Sequence, residues 1–376
     1  MNLQGLKLGV LITKKTFRKL ENQTVPHRIN SLANAGKQID INLYFFSIIE
    51  LDIKSKSITG LYWSDKDNLW LKNDFPLPDI LYLRSTPGKM YKGKFSKLIK
   101  EINIKKGLII NYPAFDKIDV FKKLNTVELA QKYLPDTTPF KSFNTLKIML
   151  TKYTCVYLKA SQGRKGQQVM RIKRDCNCGF EYSYYLQSKI NAKGKIIKRK
   201  ADSFGQLRLP ISNFFKNNSV LIQKGIELLE FDGSPIDLRA ELQRTKYGKV
   251  KITGISVRVG KVNSPITTHF KAYEFGAFFK NKLNYSQQRI EHLKTKIYRF
   301  LFIIYYCLEY HYGEYGEIGI DFAVDHNDKI WFIESNSQST KVSLERSHNK
   351  ETYSKSYIDL LEYAVNKYEK HNEQQI

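Results

Sequence analysis

Residues Glu317–Ser337 read EIGIDFAVDHNDKIWFIESNS, with two apolar runs on either side of the polar segment Asp325–Asp328. This pattern predicts two strands joined by a turn. Three oxygen-bearing side chains, those of Asp321, Glu334 and Asn336, interrupt the apolar runs. Because burial of an unpaired carboxylate is costly, we expect these carboxylates either to pair with cations or to hold a metal ion.

The placement of these three side chains suits a hard metal ion. Glu334 and Asn336 are two positions apart on a predicted strand, so their side chains should project from one face. Asp321 is expected across the hairpin from them. Mg²⁺ takes one or two carboxylates and completes its shell with water and phosphate oxygens, so the set favours Mg²⁺. From the residues alone, a hairpin with ordinary polar edge groups stays an open alternative.

Composition limits the class of protein. The chain has 376 residues, of which 42% are hydrophobic, and this length predicts roughly two to three structural units. The formal net charge is +26, and the basic residues are spread along the chain. Because Asn, Ile and Tyr are also abundant, this charge is typical of an AT-rich genome, and we expect no specific nucleic-acid partner. The dense basic stretch 191–210 is predicted to be a solvated loop.

The sequence predicts no membrane span, because the best apolar run, which begins at Phe300, is short and carries Glu309. The first residues lack a basic segment followed by a long apolar core, so we expect a cytoplasmic protein. The cysteines are too few and scattered for a disulfide framework or a cysteine-bound metal. They are Cys155, Cys176, Cys178 and Cys307.

Residues 1–113 alternate predicted strands and helices, which is typical of a small parallel-sheet domain. Strands are predicted over 7–13, 41–47, 57–64, 68–73, 79–85 and 107–112, and helices over 26–39 and 95–104. No G-x-G-x-x-G sequence follows the first strand, so dinucleotide binding is not predicted there.

Residues 114–376 have a different pattern, with longer helices and successive strands. Helices are predicted over 115–134, 289–312 and 351–376, with Asp116 as the N-cap of the first. Strands are predicted over 155–161, 220–223, 235–243 and 250–259, with a hairpin within 182–199. We therefore predict a second domain over 114–376.

Lys159 lies inside the predicted strand CVYLKAS. A lysine in such a strand has to bury its stem and find an anion. The segment SQGRKGQQV follows, and Gly163 and Gly166 free its backbone to fold over a phosphate chain. The G-x-x-x-x-G-K-[ST] spacing of a P-loop is absent. A lysine that reaches solvent beside a surface turn is the alternative explanation.

The segment LIQKGIELLE runs from an apolar strand into a hinge, and Glu230 follows Gln223 by seven residues. Backbone groups of such a hinge can hydrogen-bond an adenine edge, and a carboxylate a few residues later can bind ribose hydroxyls. By itself, the segment is also compatible with a strand end beside an acid.

The order of these features, a lysine strand, a glycine loop, a hinge, an acid and then D…E-x-N, resembles the ATP-grasp superfamily. The segment FDK, with Lys117, resembles the start of the ATP-grasp helix, and the runs 236–268 and 316–337 are similar to the YheC/YheD branch of spore-coat-associated proteins. The resemblance implies an ATP-grasp fold of the α/β (α+β) class with a Rossmann-like pre-ATP-grasp domain at 1–113. Within the ATP-grasp domain, 114–220 would carry the lysine strand and glycine loop, and 221–376 the hinge, metal strands and last helix.

The resemblance also implies a role for each matching position. Its ATP-binding positions are Lys117, Lys159, Gly163, Gly166, Gln223, Lys224, Ile226 and Glu230, and its Mg²⁺ ligands are Asp321, Glu334 and Asn336. Both lysines would bind phosphates, the hinge residues would line the adenine, and Glu230 would hold the ribose. Arg258 and Arg239 would stabilise the transferred phosphoryl group, although Arg239 could instead simply pair with a neighbouring acid, Asp237 or Glu241.

The activity that the resemblance implies is Mg-ATP-dependent ligation of a carboxylate to an amine through an acyl phosphate. The partners would be small-molecule or peptide substrates, and the oligomeric state stays open. The alternatives are a non-catalytic, ATP-binding coat protein and a phosphoryl transferase on the same fold. The sequence departs from the branch at Arg164 and Lys165 in the glycine loop, at KAYEFG (271–276), and at SQSTK (337–341), which lacks the usual proline.

Overall fold

The computed structural model describes residues 5–161, 168–175, 179–187, 194–262, 264 and 271–373. These residues form three sheets, here called the N-terminal, outer and central sheets, with helices packed against them. Strands and helices both contribute substantially, as expected for the α/β (α+β) class.

The N-terminal sheet contains the predicted parallel strands. Its elements are β1 (Lys7–Leu11), α1 (Lys14–Glu21), α2 (His27–Gln38), β2 (Asn42–Phe46), β3 (Leu51–Asp52), β4 (Ser57–Ser64), β5 (Leu69–Pro76), β6 (Ile80–Leu83), α3 (Lys92–Ile104) and β7 (Leu108–Ile110). β1 pairs in parallel with β2 and β6, and β6 pairs in parallel with β7. The strands β3, β4 and β5 extend the β2 edge in antiparallel pairing.

The outer sheet is antiparallel and carries Lys159. Its region comprises α4 (Lys117–Leu124), α5 (Glu128–Gln131), β8 (Thr137–Pro139), α6 (Phe143–Lys152), β9 (Cys155–Ala160), β10 (Val169–Arg174), β11 (Phe180–Gln187), β12 (Gly194–Ala201), α7 (Arg208–Phe215) and β13 (Val220–Lys224), and the strand order is β12-β11-β10-β9-β13-β8. Leu158 and Ala160 are buried in the core beneath α6 and α7. Because side chains alternate along a strand, Lys159 projects from the opposite face.

The central sheet follows from the alternation of residues in the segment IDLRAELQ. Its region comprises β14 (Glu230–Phe231), β15 (Ser234–Arg244), β16 (Val250–Val259), β17 (Lys271–Glu274), α8 (Phe275–Asn281), α9 (Gln287–Tyr312), β18 (Glu317–Val324), β19 (Ile330–Asn336), α10 (Val342–Ser347) and α11 (Lys350–Glu373). The apolar residues of β15, Ile236, Leu238, Ala240 and Leu242, form one core with α9. The polar residues between them therefore project from the other face, the polar face of the sheet.

The helix α11 packs against the N-terminal sheet, although it comes last in the described chain. Tyr357, Leu360 and Leu361 of α11 belong to the same apolar cluster as Leu8 and Val10 of β1. The predicted division at residue 113 stays a prediction, and the core of the N-terminal sheet includes side chains from beyond it.

Two expectations about secondary structure were wrong. The helix predicted over 115–134 is divided into α4 and α5, because Val127 adopts an extended conformation with φ −109° and ψ 111°. The basic stretch 191–210 is not a solvated loop where the structure describes it, since it contains β12 and the start of α7. Of the helices in the described ranges, none has both the length and the hydropathy required to cross a bilayer.

We predict that Leu360→Ala lowers the free energy of unfolding by about 2–5 kcal/mol, the usual cost of an emptied leucine site. Leu360 is 1% exposed and lies between the N-terminal sheet and α11. Urea denaturation monitored by fluorescence measures the change. The control is Ile104→Ala at a 62% exposed position, for which we expect a change within about 0.5 kcal/mol. A change at Leu360 as small as at the control would contradict this packing.

Candidate active site

A bulge in β19 brings two carboxylates onto the same face of the central sheet. Phe332 pairs with Phe322 and Glu334 pairs with Asp321, so Ile333 is an extra residue in β19. Strict alternation from the buried Phe332 would place Glu334 on the core face. The extra residue turns Glu334 to the polar face instead, where Asp321 lies.

The residues of this strand pair fit a divalent cation. The carboxyl groups of Asp321 and Glu334 are within hydrogen-bonding reach of each other, and two carboxylates this close repel each other unless a proton or cation lies between them. Asn336 is two residues further along β19, opposite Gly319. Two carboxylates and an amide oxygen are a suitable partial shell for Mg²⁺. No group of three His, Cys, Asp or Glu residues suited to a metal occurs in the described chain, so Asn336 or a bound molecule would supply further ligands.

Arg239 of β15 holds one of these carboxylates in place. Its Nη1 donates to Oδ1 of Asp321 at 2.7 Å, and its Nε donates to Oε1 of Glu241 at 3.0 Å. Its Nη2 donates to Oγ of Ser339 at 3.0 Å. Arg239 therefore does pair with the neighbouring acid Glu241, and it also connects Asp321 to the segment that follows β19.

The guanidinium group of Arg239 occupies space that Gly319 leaves open. A Cβ atom added to Gly319 would lie 1.9 Å from Nη2 of Arg239. Since real Cβ atoms do not approach so closely, any larger residue at position 319 would displace the guanidinium. This glycine is required for close packing between β15 and β18.

Arg258 of β16 contributes a second fixed guanidinium group. It donates from Nε and Nη2 to the two carboxylate oxygens of Asp237, at 2.7 and 2.6 Å, in a bidentate pair. Its Nη1 is 3.3 Å from Oδ1 of Asp321. Burial lowers the pKa of Arg258, but Asp237 and Asp321 more than compensate and raise it above its ordinary value. Both arginines therefore remain charged and oriented beside Asp321.

Lys117 approaches the same carboxylates from the start of α4. The side chain of Asp116 accepts hydrogen bonds from the backbone N–H groups of Ile118 and Asp119, which confirms the predicted N-cap. The Nζ of Lys117 is 2.8 Å from Oε2 of Glu334. Burial raises the pKa of Glu334, but the ammonium group of Lys117 and then that of Lys159 outweigh this effect and hold the pKa at about 2.

Lys159 is the cation of this group without a carboxylate of its own. Its Nζ donates to Oε1 of Gln223 at 2.6 Å, and in the described residues no ion pair within 4.0 Å involves it. Burial, and then the neighbouring ammonium group of Lys117, lower the pKa of Lys159 to about 8. A partly buried cation with only a neutral amide beside it is suited to an anionic ligand.

The predicted adenine residues lie along β13 and the turn after it. Gln223 is 2% exposed and bridges Lys159 to Oγ1 of Thr137, to which its Nε2 donates at 3.0 Å. Lys224 lies over the ring of Trp331 at 5.7 Å, Ile226 is half-buried and Glu230 is exposed on β14. These four residues line one end of the space between the outer and central sheets.

The predicted glycine loop falls largely outside the described residues, which include neither Gly163 nor Gly166. Its described start lies beside the candidate site, because the backbone N–H of Lys117 donates to the carbonyl of Ser161 at 3.2 Å. The contribution of the two glycines to phosphate binding stays a prediction.

A second buried charge cluster, which the sequence did not reveal, adjoins the first. The carboxylate of Glu317 accepts from Oη of Tyr82 at 2.5 Å and lies 3.0 Å from Nζ of Lys341 and 3.6 Å from Arg84. Burial raises the pKa of Glu317, but Lys341 and then Arg84 outweigh it and hold the pKa below its ordinary value. The sequence signal was limited to a charged residue, Glu317, ahead of an apolar run.

The segment 337–341, SQSTK, connects the two clusters and is held on several sides. Ser337 donates from Oγ to the carbonyl of Pro113 at 2.8 Å, and Ser339 accepts from Arg239. Arg84 donates to the carbonyl of Ser339 at 3.3 Å, and Lys341 has a left-handed backbone with φ 53°. This segment is therefore an ordered connection between the N-terminal sheet and the polar face of the central sheet.

The outer sheet with its lysine, facing a central sheet with paired carboxylates, defines an ATP-grasp protein. The chain belongs to the YheC/D-like ATP-grasp family, whose match covers residues 106–366. Both the fold class and the resemblance expected from the sequence are thereby confirmed.

Individual proteins similar to this chain include two curated relatives from Bacillus subtilis (strain 168). Endospore coat-associated protein YheD is 29% identical over 307 residues, which cover 78% of this chain and 64% of YheD, so the chain spans less than two thirds of that relative. Endospore coat-associated protein YheC is 21% identical over 338 residues, covering 88% of this chain and 89% of YheC. The D-alanine-D-alanine ligase from Coxiella burnetii has a TM-score of 0.56 at 12% identity, covering 98% of this chain and 97% of the ligase, and so shares its fold.

We predict that Gly319→Ala lowers the free energy of unfolding by about 1–3 kcal/mol, because its methyl group would displace the guanidinium of Arg239. Gly88→Ala is the control, since nothing lies within 4 Å of a Cβ added there. Urea denaturation of both variants measures the difference. Equal stability of the two variants would contradict the close packing of Arg239 against Gly319.

We predict that Lys159 makes the protein more stable as the pH rises from about 8 towards 10.5, its ordinary pKa. In this window the unfolded chain binds more protons at Lys159 than the folded chain does, so the free energy of unfolding increases with pH. Comparing the wild type with Lys159→Met by urea denaturation at several pH values isolates this effect. Lys147→Met, on the exposed side of α6, is the control for loss of one lysine. A difference between wild type and Lys159→Met that is constant with pH would refute the lowered pKa.

Proposed function

We propose that this protein is an Mg-ATP-dependent ligase that joins a carboxylate to an amine through an acyl phosphate. The observation that carries the proposal is the position of Lys159, a partly buried cation without a carboxylate partner, beside the Lys117–Glu334 pair. Its location between the two sheets of an ATP-grasp fold supports a phosphate chain as the missing anion.

In this proposal, the outer sheet and α4 bind the nucleotide. Lys159 and Lys117 contact its phosphates, while the backbone of Lys224 and Ile226 and the carboxylate of Glu230 bind adenine and ribose. Asp321, Glu334 and Asn336 would hold Mg²⁺, which supplies charge neutralisation between phosphate oxygens when bound. Because Lys117 pairs with Glu334 in the free protein, arrival of the nucleotide would exchange this ion pair for phosphate contacts.

The proposed chemistry proceeds in two displacements. A carboxylate oxygen of the first substrate attacks the γ-phosphorus of ATP, the bond to the β,γ-bridging oxygen breaks, and ADP leaves. The amine of the second substrate then attacks the acyl carbon, phosphate leaves with the electron pair of the C–O bond, and the nitrogen loses a proton to form the amide. Arg258, fixed by Asp237, would stabilise charge on the transferred phosphoryl group. Arg239 would act as a positioning residue through Asp321 and Ser339.

The substrates are proposed by class. The name of the Coxiella burnetii neighbour describes a ligase of amino acids, and an amino acid or a peptide is the corresponding proposal for this chain. The segment 337–341 would form the wall of the acceptor site, because it follows the metal strand and contacts the N-terminal sheet. Its rigid attachment favours an acceptor pocket of fixed shape.

A panel assay tests the proposal. Purified protein is incubated with Mg-ATP and combinations of amino acids and short peptides, and ADP and phosphate are measured with mass analysis of products. We expect ADP formation that requires a carboxylate substrate and an amide product that requires an added amine. ADP formation with a stably phosphorylated product would indicate a phosphoryl transferase, and the absence of nucleotide binding in calorimetry would refute the proposal.

We predict that Glu334→Gln lowers the rate of ADP formation at least about 100-fold, because loss of a fixed charge at developing phosphate charge has effects of this size. The exposed exchange Glu351→Gln on α11 is the matched control and should leave the rate unchanged. Circular dichroism of both variants checks the fold. Turnover close to wild type in a folded Glu334→Gln variant would remove Glu334 from the site.

The names of YheD and YheC place those proteins at the endospore coat. Association of this chain with a spore is the corresponding proposal, and the expected cytoplasmic location stays a prediction. A coat protein that binds ATP without turnover would give nucleotide binding in calorimetry but no amide product in the panel assay, which separates this alternative from the ligase.

A further inference from the structure

The strand β12 is an uncovered edge of the outer sheet with an unusual density of cations. It lies at one end of the strand order and pairs with β11. Four of its eight residues are lysine or arginine, against 62 of 376 in the whole chain. These four, which we call the basic edge, are the exposed residues Lys195, Lys198, Arg199 and Lys200.

Neighbouring acids neutralise part of this charge. Lys198 is 2.8 Å from Glu181, and Lys200 is 3.7 Å from Asp175. Across the described chain, no carboxylate lies within ion-pair distance of Lys195 or Arg199, and Arg199 reaches only the carbonyl of Lys198, at 3.4 Å. The basic edge therefore keeps net positive charge at the surface.

The cations project from both faces of β12. Lys198 lies opposite Ser183, Ser183 opposite Arg171, and Arg171 opposite Tyr157, which places Lys198 and Lys200 on the sheet face that carries Lys159. Lys195 and Arg199 lie on the other face, since they are an odd number of positions away from Lys198. An extended chain beside β12 would also direct alternate side chains to the two faces.

Another long edge of the molecule is closed, which makes the open state of β12 notable. The edge strand β5 uses its backbone at Trp70, whose N–H and carbonyl both hydrogen-bond to the side chain of Gln23 at 3.0 Å. Lys72 on β5 is neutralised by Glu21 at 3.0 Å. Charged residues on an edge can act simply to prevent aggregation, but cations on both faces exceed what that role requires.

We propose that the basic edge binds an acidic, extended peptide segment that adds to the outer sheet as a further strand beside β12. The open N–H and C=O groups of β12 would supply the ladder, and the cations on both faces would pair with acidic side chains of the added strand. The edge is three strands away from β9, about 14 Å at the usual strand spacing. Binding there needs no nucleotide and no turnover, so it is independent of the proposed ligase activity.

Fluorescence anisotropy with the full chain tests this proposal. The probe is a fluorescein-labelled ten-residue peptide of alternating Glu-Glu and Val-Thr pairs, and the comparison peptide carries Lys in place of Glu. Replacing the four basic-edge residues by Gln should raise the dissociation constant of the acidic peptide about tenfold or more, as expected when several charge pairs are lost. The matched control replaces four exposed lysines elsewhere, and should change it less than about twofold. These are Lys15, Lys92, Lys97 and Lys100.

A second measurement separates strand addition from general attraction of anions. The same acidic peptide, N-methylated at alternate residues, keeps its charges but loses its ladder, so we expect much weaker binding and no protection of β12 amides from hydrogen exchange. Equal binding of the methylated peptide, or of a ten-nucleotide single-stranded DNA, would overturn the proposal in favour of a general polyanion surface. Absence of binding by the acidic peptide, or equal loss in the basic-edge and control variants, would also overturn it. Circular dichroism confirms that both variants are folded.

Discussion

The buried ion pair between Arg239 and Asp321 is the interaction on which the polar face of the central sheet depends. Removing one partner of such a pair leaves an uncompensated charge, at a cost of about 3–5 kcal/mol. The pair exists only because Gly319 leaves room for the guanidinium, and it extends to Ser339 beyond the end of β19. One side chain thus fixes both a candidate metal ligand and the segment that borders it.

Around this pair, the central sheet separates apolar and charged residues onto its two faces. The face towards α9 is a continuous apolar core, while the other face carries two adjoining buried charge clusters centred on Asp321 and Glu317. Burial of so many charges is unfavourable unless each is paired, and most are. The exceptions are Lys159, which has an amide as its partner, and one carboxylate oxygen of Glu241, which is buried without a hydrogen-bond partner in the described chain. Unpaired charge therefore concentrates where the nucleotide is proposed to bind.

The sequence predicted the features that depend on local periodicity. The apolar spacing of α9 and the positions of β15, β16, β18 and β19 were evident because burial repeats at fixed intervals along the chain. The bulge at Ile333 was not, because it depends on how β19 pairs with β18. The cluster at Glu317 was also missed, since its partner Tyr82 is 235 positions away and neither residue has a local signal. The division into α4 and α5 depended on one extended residue within a helical pattern.

The position of α11 has a consequence for how the chain acquires its structure during synthesis. The strand β1 is among the first segments to leave the ribosome, yet one apolar face of its sheet is completed by Tyr357, Leu360 and Leu361. This face stays incomplete until nearly all of the described chain has been translated, so the N-terminal sheet can reach its final packing only late. Contacts of such large sequence separation make folding slow relative to chain elongation within each sheet. The two ends of the chain therefore mature together, and the first domain to be made is among the last to be finished.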